Sequence, residues 1–366
     1  MHNADKVHTV DLFCGAGGLT KGLCQAGIDV RLGVDIDPAC EYPYVANNSA
    51  RFMRMGVEDL DAEVLASVFP DDGVRLIAGC APCQTFSKYN QKARSDDGRW
   101  WLLRHFSRLI LECLPELVTM ENVPGLASQD VFRSFTSDLR NANYEVACAT
   151  VSCAEYGVPQ NRCRLVLLAS RLGPIRLLSP RELRARPRSV REAIGHLPPI
   201  GAGEACRSDR LHQSSTLSPA NLRRIRASRP GGTWRDWESS IVATCHKKVT
   251  GRGYASVYGR MNWDEPAPTI TTQFYGFGSG RFGHPEQDRA ISLREGAVLQ
   301  GFPKSYVFVR ENGPVHTKTI GRLIGNAVPV KLGWVIGKSI LGHVAEIGVG
   351  TSMTETTTVR ANRKLA

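Results

Sequence analysis

An apolar run from Val74 to Ala78 leads into Gly79-Cys80-Ala81-Pro82-Cys83-Gln84-Thr85-Phe86-Ser87. A loop bearing a thiol at a strand end can hold a nucleophile at the edge of a sheet. Cys80 and Cys83 form a C-x-x-C, and that spacing allows a redox pair, half of a zinc site, or one nucleophile with a bystander. A second group of residues lies at the start of the chain. Asp11-Leu12-Phe13-Cys14-Gly15-Ala16-Gly17-Gly18 follows a predicted strand and precedes a predicted helix. A glycine-rich turn there lets a ligand approach the backbone and meet the helix N-terminus. The run is not G-x-G-x-x-G, and it lacks the Lys-Ser/Thr of a P-loop. Asp35, at the end of the next predicted strand, is placed to accept hydrogen bonds from two ribose hydroxyls. Together these features predict a nucleoside-bearing cofactor without a strong demand for phosphate contacts.

The elements that must hold these residues read as short apolar strands alternating with helices. Strands are predicted at Val7 to Phe13, Val30 to Val34, Val74 to Ala78, Leu117 to Met120 and Arg164 to Ala169. Helical spacing appears at Leu19 to Ala26, Trp101 to Leu114, Val131 to Asn141 and Leu332 to Ile347. This alternation predicts a parallel α/β sheet with the ligand beyond the carboxyl ends of its strands. Asp35, Cys83 and Glu121 all fall just after predicted strands, so one crevice could gather them. After Ser170 the texture becomes proline-, arginine- and glycine-rich. The expected division is a catalytic domain over 1–170, a loop-rich second domain over 171–290, a segment returning to the first domain over 291–347, and a mobile polar tail over 348–366.

Charge singles out the second region. The chain of 366 residues carries a net +11. Residues 171–289 hold twenty Arg and Lys against ten Asp and Glu, so they account for ten of those charges. Localised positive charge is the footprint of a polyanion-binding surface. Hydrophobic residues at 42% and charged residues at 22% are ordinary for a globular protein. No apolar run is long enough for a membrane span, and no signal peptide is expected from the short polar N-terminus. Eleven scattered cysteines read as reduced thiols of a cytosolic protein. No metal site is expected, since no second well-spaced ligand pair accompanies the C-x-x-C.

Six motifs, in order, resemble those of the S-adenosylmethionine-dependent cytosine-C5 DNA methyltransferases. They are Asp11-Leu12-Phe13-x-Gly15-x-Gly17-Gly18-Leu19; Gly79-x-x-Pro82-Cys83-Gln84-x-Phe86-Ser87; Glu121-Asn122-Val123; Tyr156-Gly157-Val158-Pro159-Gln160-x-Arg162-x-Arg164; Arg294-Glu295 with Leu299-Gln300-Gly301-Phe302-Pro303; and Gly325-Asn326-Ala327-Val328-Pro329. The resemblance runs from Val10 to about Val330. It implies a Rossmann-like methyltransferase sheet with a smaller target-recognition domain, and a bacterial enzyme of restriction-modification or orphan type.

The resemblance also implies roles. Cytosine C5 is too weak a nucleophile to attack a sulfonium methyl until a thiolate adds at C6. The family gives that task to the Cys of Pro-Cys-Gln, here Cys83, and leaves Cys80 a bystander. Glu121 would donate to N3 and accept from the 4-amino group, with Asn122 orienting the loop. Arg162 and Arg164 would hold the base carbonyl and brace the catalytic loop. Phe13, Gly15, Gly17, Gly18, Asp35, Ile36, Asp59, Leu60, Pro82, Leu102, Asn326 and Val328 would bind S-adenosyl-L-methionine, with S-adenosyl-L-homocysteine as product. Ile36 stands where some relatives stack an aromatic on adenine. The motif at Asn326 closes the cofactor site only if the C-terminal segment folds back on the first domain.

A cytosine inside a duplex must be flipped out to reach Cys83. The implied partner is therefore double-stranded DNA, with Gln84, Ser87, His246, Lys247, Lys248, Arg252, Arg260 and Gln273 as candidate contacts. Trp234 and Trp237 read as core. The expected enzyme is a monomer in the bacterial cytoplasm, associated with the nucleoid through DNA, with any cognate restriction endonuclease acting separately. Two alternatives are a tRNA cytosine-C5 methyltransferase and a non-catalytic DNA-binding homologue. The long basic middle region argues against the first, and the intact Cys83, Glu121, Arg162 and Arg164 against the second.

Overall fold

The computed structural model of the chain describes residues 6–82 and 101–362, with side chains in the last helix only as far as 348. Strand β1 (Val7–Leu12) is buried along its whole length and lies third in a seven-stranded sheet, inside both edges. The other strands are β2 (Asp29–Asp35), β3 (Arg51–Arg54), β4 (Val74–Gly79), β5 (Leu117–Asn122), β6 (Glu145–Ser152) and β8 (Cys163–Ser170); the two-residue β7 (Gln160–Asn161) lies outside the sheet. The order is β3-β2-β1-β4-β5-β8-β6. Strands β1 to β5 pair in parallel, whereas β8 runs antiparallel to both β5 and β6. The fully parallel sheet expected from the sequence is corrected at this edge. There β6 follows β5 and the helix Asp130–Asn141, and β8 returns between β5 and β6, a reversal that short apolar runs do not encode.

The chain reverses its direction of winding between β1 and β4. This is the switch point at which open α/β sheets bind ligands beyond their carboxyl ends. Leu12, Asp35, Gly79 and Asn122 all end strands there.

Helices cover both faces. On one face α1 (Gly18–Ala26) packs against the final helix α11 (Val330–Asn362). The two approach closely because glycines line the seam. A Cβ on Gly22 would stand 2.2 Å from the Val330 carbonyl oxygen, and one on Gly333 would stand 2.9 Å from that of Leu19. The C-terminal segment therefore does fold back on the first domain. On the other face α4 (Trp101–Cys113) packs against α5 (Asp130–Asn141), with the Phe106 and Phe135 rings 5.8 Å apart. Helix α2 (Pro38–Asn47) begins with Asp37 accepting from the Ala39 N–H and Pro38 in its first turn.

The middle region has a small core of its own, comprising Ile225, Trp234, Trp237, Phe277 and Ala290. Both tryptophans are buried as expected, and each indole N–H has an acceptor: Tyr254 O for Trp234 and Ser228 Oγ for Trp237. A further cluster joins residues 190–211 to the segment after 290 and to Ala16 under the first glycine turn. Helix α9 (Leu293–Leu299) and helix α10 (Thr317–Asn326) belong to it. A short parallel pairing of β7 with Ala267–Pro268 anchors the middle region to the sheet. No described helix is long and apolar enough to cross a membrane.

Candidate active site

Glu121 is the penultimate residue of β5 and only 3% exposed. Arg164, on the adjacent antiparallel β8, brings its Nε to 2.7 Å from Glu121 Oε1. The contact is an ion pair without an aligned hydrogen bond, so Oε1 is a buried acceptor with no hydrogen-bond partner among the described residues. Oε2 accepts from Cys80 Sγ at 3.0 Å. Burial, reinforced by the charge of Glu121, pushes the Cys80 thiol well above its ordinary value, with Arg164 opposing. A thiol held protonated is a poor nucleophile. Cys80 is thus a donor to Glu121 rather than the bystander expected.

Asn122 donates its Nδ2 to the Ala81 carbonyl at 2.9 Å, while its Oδ1 accepts from Val123 N. It ties the end of β5 to the entry of the Pro-Cys loop, as expected of a loop-orienting residue. Cys83, Gln84 and Ser87 lie outside the described residues.

Arg162 is buried and donates to the carbonyls of Ile270 and Gly325 at 3.0 and 3.3 Å. One guanidinium thereby joins the sheet to the middle region and to the last turn of α10. Its Nε has no partner among the described residues. Burial first, then the like charge of Arg164, lowers its pKa to about 9, so it remains cationic at neutral pH. Gln160 makes a parallel connection, donating to Leu299 O at 3.0 Å and Gln300 Oε1 at 2.7 Å, and accepting from Ile270 N at 3.0 Å.

The glycine turn and Asp35 meet as predicted. Asp35 Oδ2 accepts from the Gly15 N–H at 2.9 Å, and Oδ1 accepts from the Asp37 N–H at 2.9 Å. Each carboxylate oxygen keeps a lone pair for a further donor. Burial raises the Asp35 pKa despite these donors. Phe13 holds φ 59°, a conformation that costs a non-glycine residue energy and recurs at ligand sites. Gly15 has φ +54°, and a Cβ placed there would meet nothing within 4 Å, which leaves room above the turn. At Gly18 a Cβ would stand 2.3 Å from Val328 O, so the Gly325-Asn326-Ala327-Val328-Pro329 motif packs directly on the glycine turn. Ile36 projects from the end of β2 at 65% exposure and offers an apolar face beside Asp35. Leu60 is buried, its carbonyl accepting from Arg108 Nη2 at 2.9 Å; Leu102 is half-buried. Asp59, Pro82 and Asn326 are exposed around the same end of the sheet.

Several supporting residues escaped the sequence reading. Tyr306 donates its hydroxyl to the Ala16 carbonyl at 2.5 Å, and with Asn48 and Tyr44 it walls in Gly17. Arg322 of α10 pairs with Asp37 at 2.5 Å beside Asp35. Asp11 is buried under the turn, accepts from Thr20 Oγ1 at 2.6 Å, and is raised by burial to about 7. Only the Asp11-Leu12-Phe13 motif itself hinted at such a role.

Two of the candidate DNA contacts are corrected. Arg260 is buried, and its guanidinium donates to the carbonyls of Ile225, Ser228, His284 and Gln287 and to Asp288. His246 is stacked on Trp234 at 4.4 Å and hydrogen-bonded through Nδ1 to Gly251 O. Both belong to the interior of the middle region: Arg260 spends its donors on protein acceptors, and His246 is held by its stacking and its Nδ1 bond while its Nε2 has no partner among the described residues. Lys247, Lys248, Arg252 and Gln273 are exposed. The loop bearing the first three is tethered from beneath by Trp234, Arg235 and His246, which bond to the carbonyls of Tyr254, Arg252 and Gly251. Its outer face carries Val249 at 84% and Tyr254 at 53% exposure.

Residues 7–342 match the C-5 cytosine-specific DNA methylase family. The chain belongs to that family. It is 49% identical to the type II methylase M.HgiDII of Herpetosiphon aurantiacus, over 90% of this chain and 94% of the relative. It is 31% identical to the type II methyltransferase M1.BsuMI of Bacillus subtilis, over 91% of this chain and 80% of that one. The solved structure of the Entamoeba histolytica methyltransferase EhMeth shares the fold at a TM-score of 0.66 and 15% identity, over 93% of this chain and 99% of that one. As a member of this family the chain is a DNA cytosine-5-methyltransferase. The tRNA alternative and the non-catalytic alternative both give way to that assignment.

Proposed function

We propose that this methyltransferase acts on a flipped-out cytosine of double-stranded DNA through a covalent bond between Cys83 and C6. The observation that carries the reading is Glu121, a buried carboxyl with one oxygen unpartnered among the described residues, bracketed by Arg164 and tied by Asn122 to the loop that leads to Cys83. Addition of the Cys83 thiolate to C6 forms a carbon–sulfur bond and moves the electron pair onto C5 and the ring. Glu121 offsets that charge by donating to N3 and accepting from the 4-amino group. Arg164 supplies positive charge beside Glu121, and Arg162, just before β8, fixes the start of the strand that carries Arg164. Once C5 has used that electron pair to take the sulfonium methyl, the pair of the broken methyl–sulfur bond remaining on the donor's sulfur, loss of the C5 proton to a water molecule forms the C5–C6 double bond and expels the thiolate.

S-adenosyl-L-methionine supplies the methyl as a sulfonium and departs as S-adenosyl-L-homocysteine. The residues present suit it. Phe13, Gly15, Gly17 and Gly18 form a turn with open space at Gly15, and Asp35 can receive the ribose. Ile36 offers an apolar surface to the adenine. Asp59, Leu60, Pro82, Leu102, Asn326 and Val328 line the remaining approaches.

The middle domain grips DNA through Lys247, Lys248, Arg252 and Gln273, with phosphate contacts giving affinity and a few side chains reading bases. Catalytic and recognition parts share one chain, which supports action as a monomer. The type II relatives support a restriction endonuclease acting as a separate protein, in a bacterial cytoplasm. Labelled S-adenosyl-L-methionine with mixed-sequence duplex DNA and with tRNA tests the reading. Label is expected at cytosine C5 of the duplex; label confined to tRNA or to adenine overturns it.

A further inference from the structure

We propose that Cys80 is a positioning residue that holds the Glu121 carboxyl in the plane required by the base. The inference rests on reading Glu121 as the base-binding carboxyl, and it concerns the only described hydrogen bond that this carboxyl accepts. Cys80 follows β4, and its N–H donates to Leu12 O at 3.3 Å, which fixes its backbone to the neighbouring buried strand β1. From there its Sγ reaches Glu121 Oε2 at 3.0 Å. Arg164 Nε stands 2.7 Å from the other oxygen but is not aligned to hydrogen-bond it. Arg164 therefore supplies charge without direction, and Cys80 supplies direction without charge.

Direction matters because the two oxygens have different tasks. One must carry a proton toward N3 while the other accepts from the 4-amino group. Oε1 is buried and without a hydrogen-bond partner among the described residues, so it is the oxygen left for N3. Oε2 has a second lone pair, and a thiol is a weak donor. The base amino group can therefore bind Oε2 without first displacing a strong competitor. A hydroxyl at position 80 would keep the donor, whereas a methyl group would release the carboxyl to rotate toward Arg164. Because Cys80 remains a thiol, it shares no chemistry with Cys83 despite the C-x-x-C spacing.

The experiment compares wild type, Cys80→Ala, Cys80→Ser and Glu121→Gln. It measures kcat and KM on duplex DNA, S-adenosyl-L-methionine affinity and the thermal midpoint. Loss of one hydrogen bond predicts that Cys80→Ala lowers kcat about five- to tenfold, with KM, cofactor affinity and thermal midpoint unchanged. Cys80→Ser restores kcat. The proposal is overturned if Cys80→Ala matches wild type, or if Ala and Ser lose rate equally together with thermal stability. A Glu121→Gln enzyme with wild-type turnover would instead overturn the underlying assignment of Glu121.

Discussion

Buried arginines are used in opposite ways at the two ends of this molecule. In the middle region, the Arg260 guanidinium directs its donors to four carbonyls and Asp288, and Arg289 binds Glu295 through both terminal nitrogens and three further acceptors. At the carboxyl ends of the sheet, Arg162 Nε has no partner among the described residues, and Arg164 faces a Glu121 oxygen that it does not hydrogen-bond. Buried polar groups are ordinarily paired. A saturated arginine is scaffold, whereas an unsaturated one beside an unsaturated carboxyl is held in reserve for a ligand. The arginines of the first region close on their own fold, and those of the second leave the open polar atoms that the proposed base contacts require.

That contrast can be broken by substitution. Glu121→Gln should leave the thermal midpoint within a degree or two while lowering kcat by about a hundredfold or more, since a positioned acid–base group contributes roughly 10²–10⁴. A large fall in the midpoint with retained activity would reverse the assignment. Arg260→Ala should do the opposite. Removing the guanidinium leaves the carbonyls of Ile225, Ser228, His284 and Gln287 without their donor, at about 1–3 kcal/mol for each buried group left unsatisfied, so denaturant unfolding should show an early transition of the middle region. DNA affinity should fall with it, while calorimetric binding of S-adenosyl-L-methionine persists.

The smallest effect is expected at Lys247. This exposed side chain should weaken binding to all DNA sequences alike and reduce the slope of log affinity against log salt by about 1. A change of target sequence instead would make it a base reader.

The sequence carried the catalytic half further than the middle. Strands β1, β2, β4 and β5 and helices α1, α4 and α5 were legible to within a residue or two, because each is an apolar run ended by glycine, an acid or a cap. Edge strands β3 and β6 were not. They are half-exposed, and their alternation is diluted by Arg51, Arg54, Glu145 and Thr150. The reversal of β8 could not be seen either, since a buried strand reads alike in both directions. Glu121 and Asp35 stood where strand ends predicted. Arg260 and His246 did not, because a basic side chain in a basic region looks like a DNA contact until its burial is known. Cys80 was passed over for a similar reason. Its importance lies in a contact with a residue forty-one positions away, which no local spacing reveals.

The central claim is that one thiol, Cys83, forms the bond to the base while Cys80 only orients the acid. Duplex DNA carrying 5-fluorocytosine at the target position tests it most directly, since fluorine at C5 prevents the proton loss that frees the enzyme. With S-adenosyl-L-methionine present, the account predicts a stable protein–DNA adduct. Peptide mass spectrometry should place it on Cys83, it should form in Cys80→Ser, and it should be absent from Cys83→Ala. An adduct mapped to Cys80, or one that persists without Cys83, would contradict it.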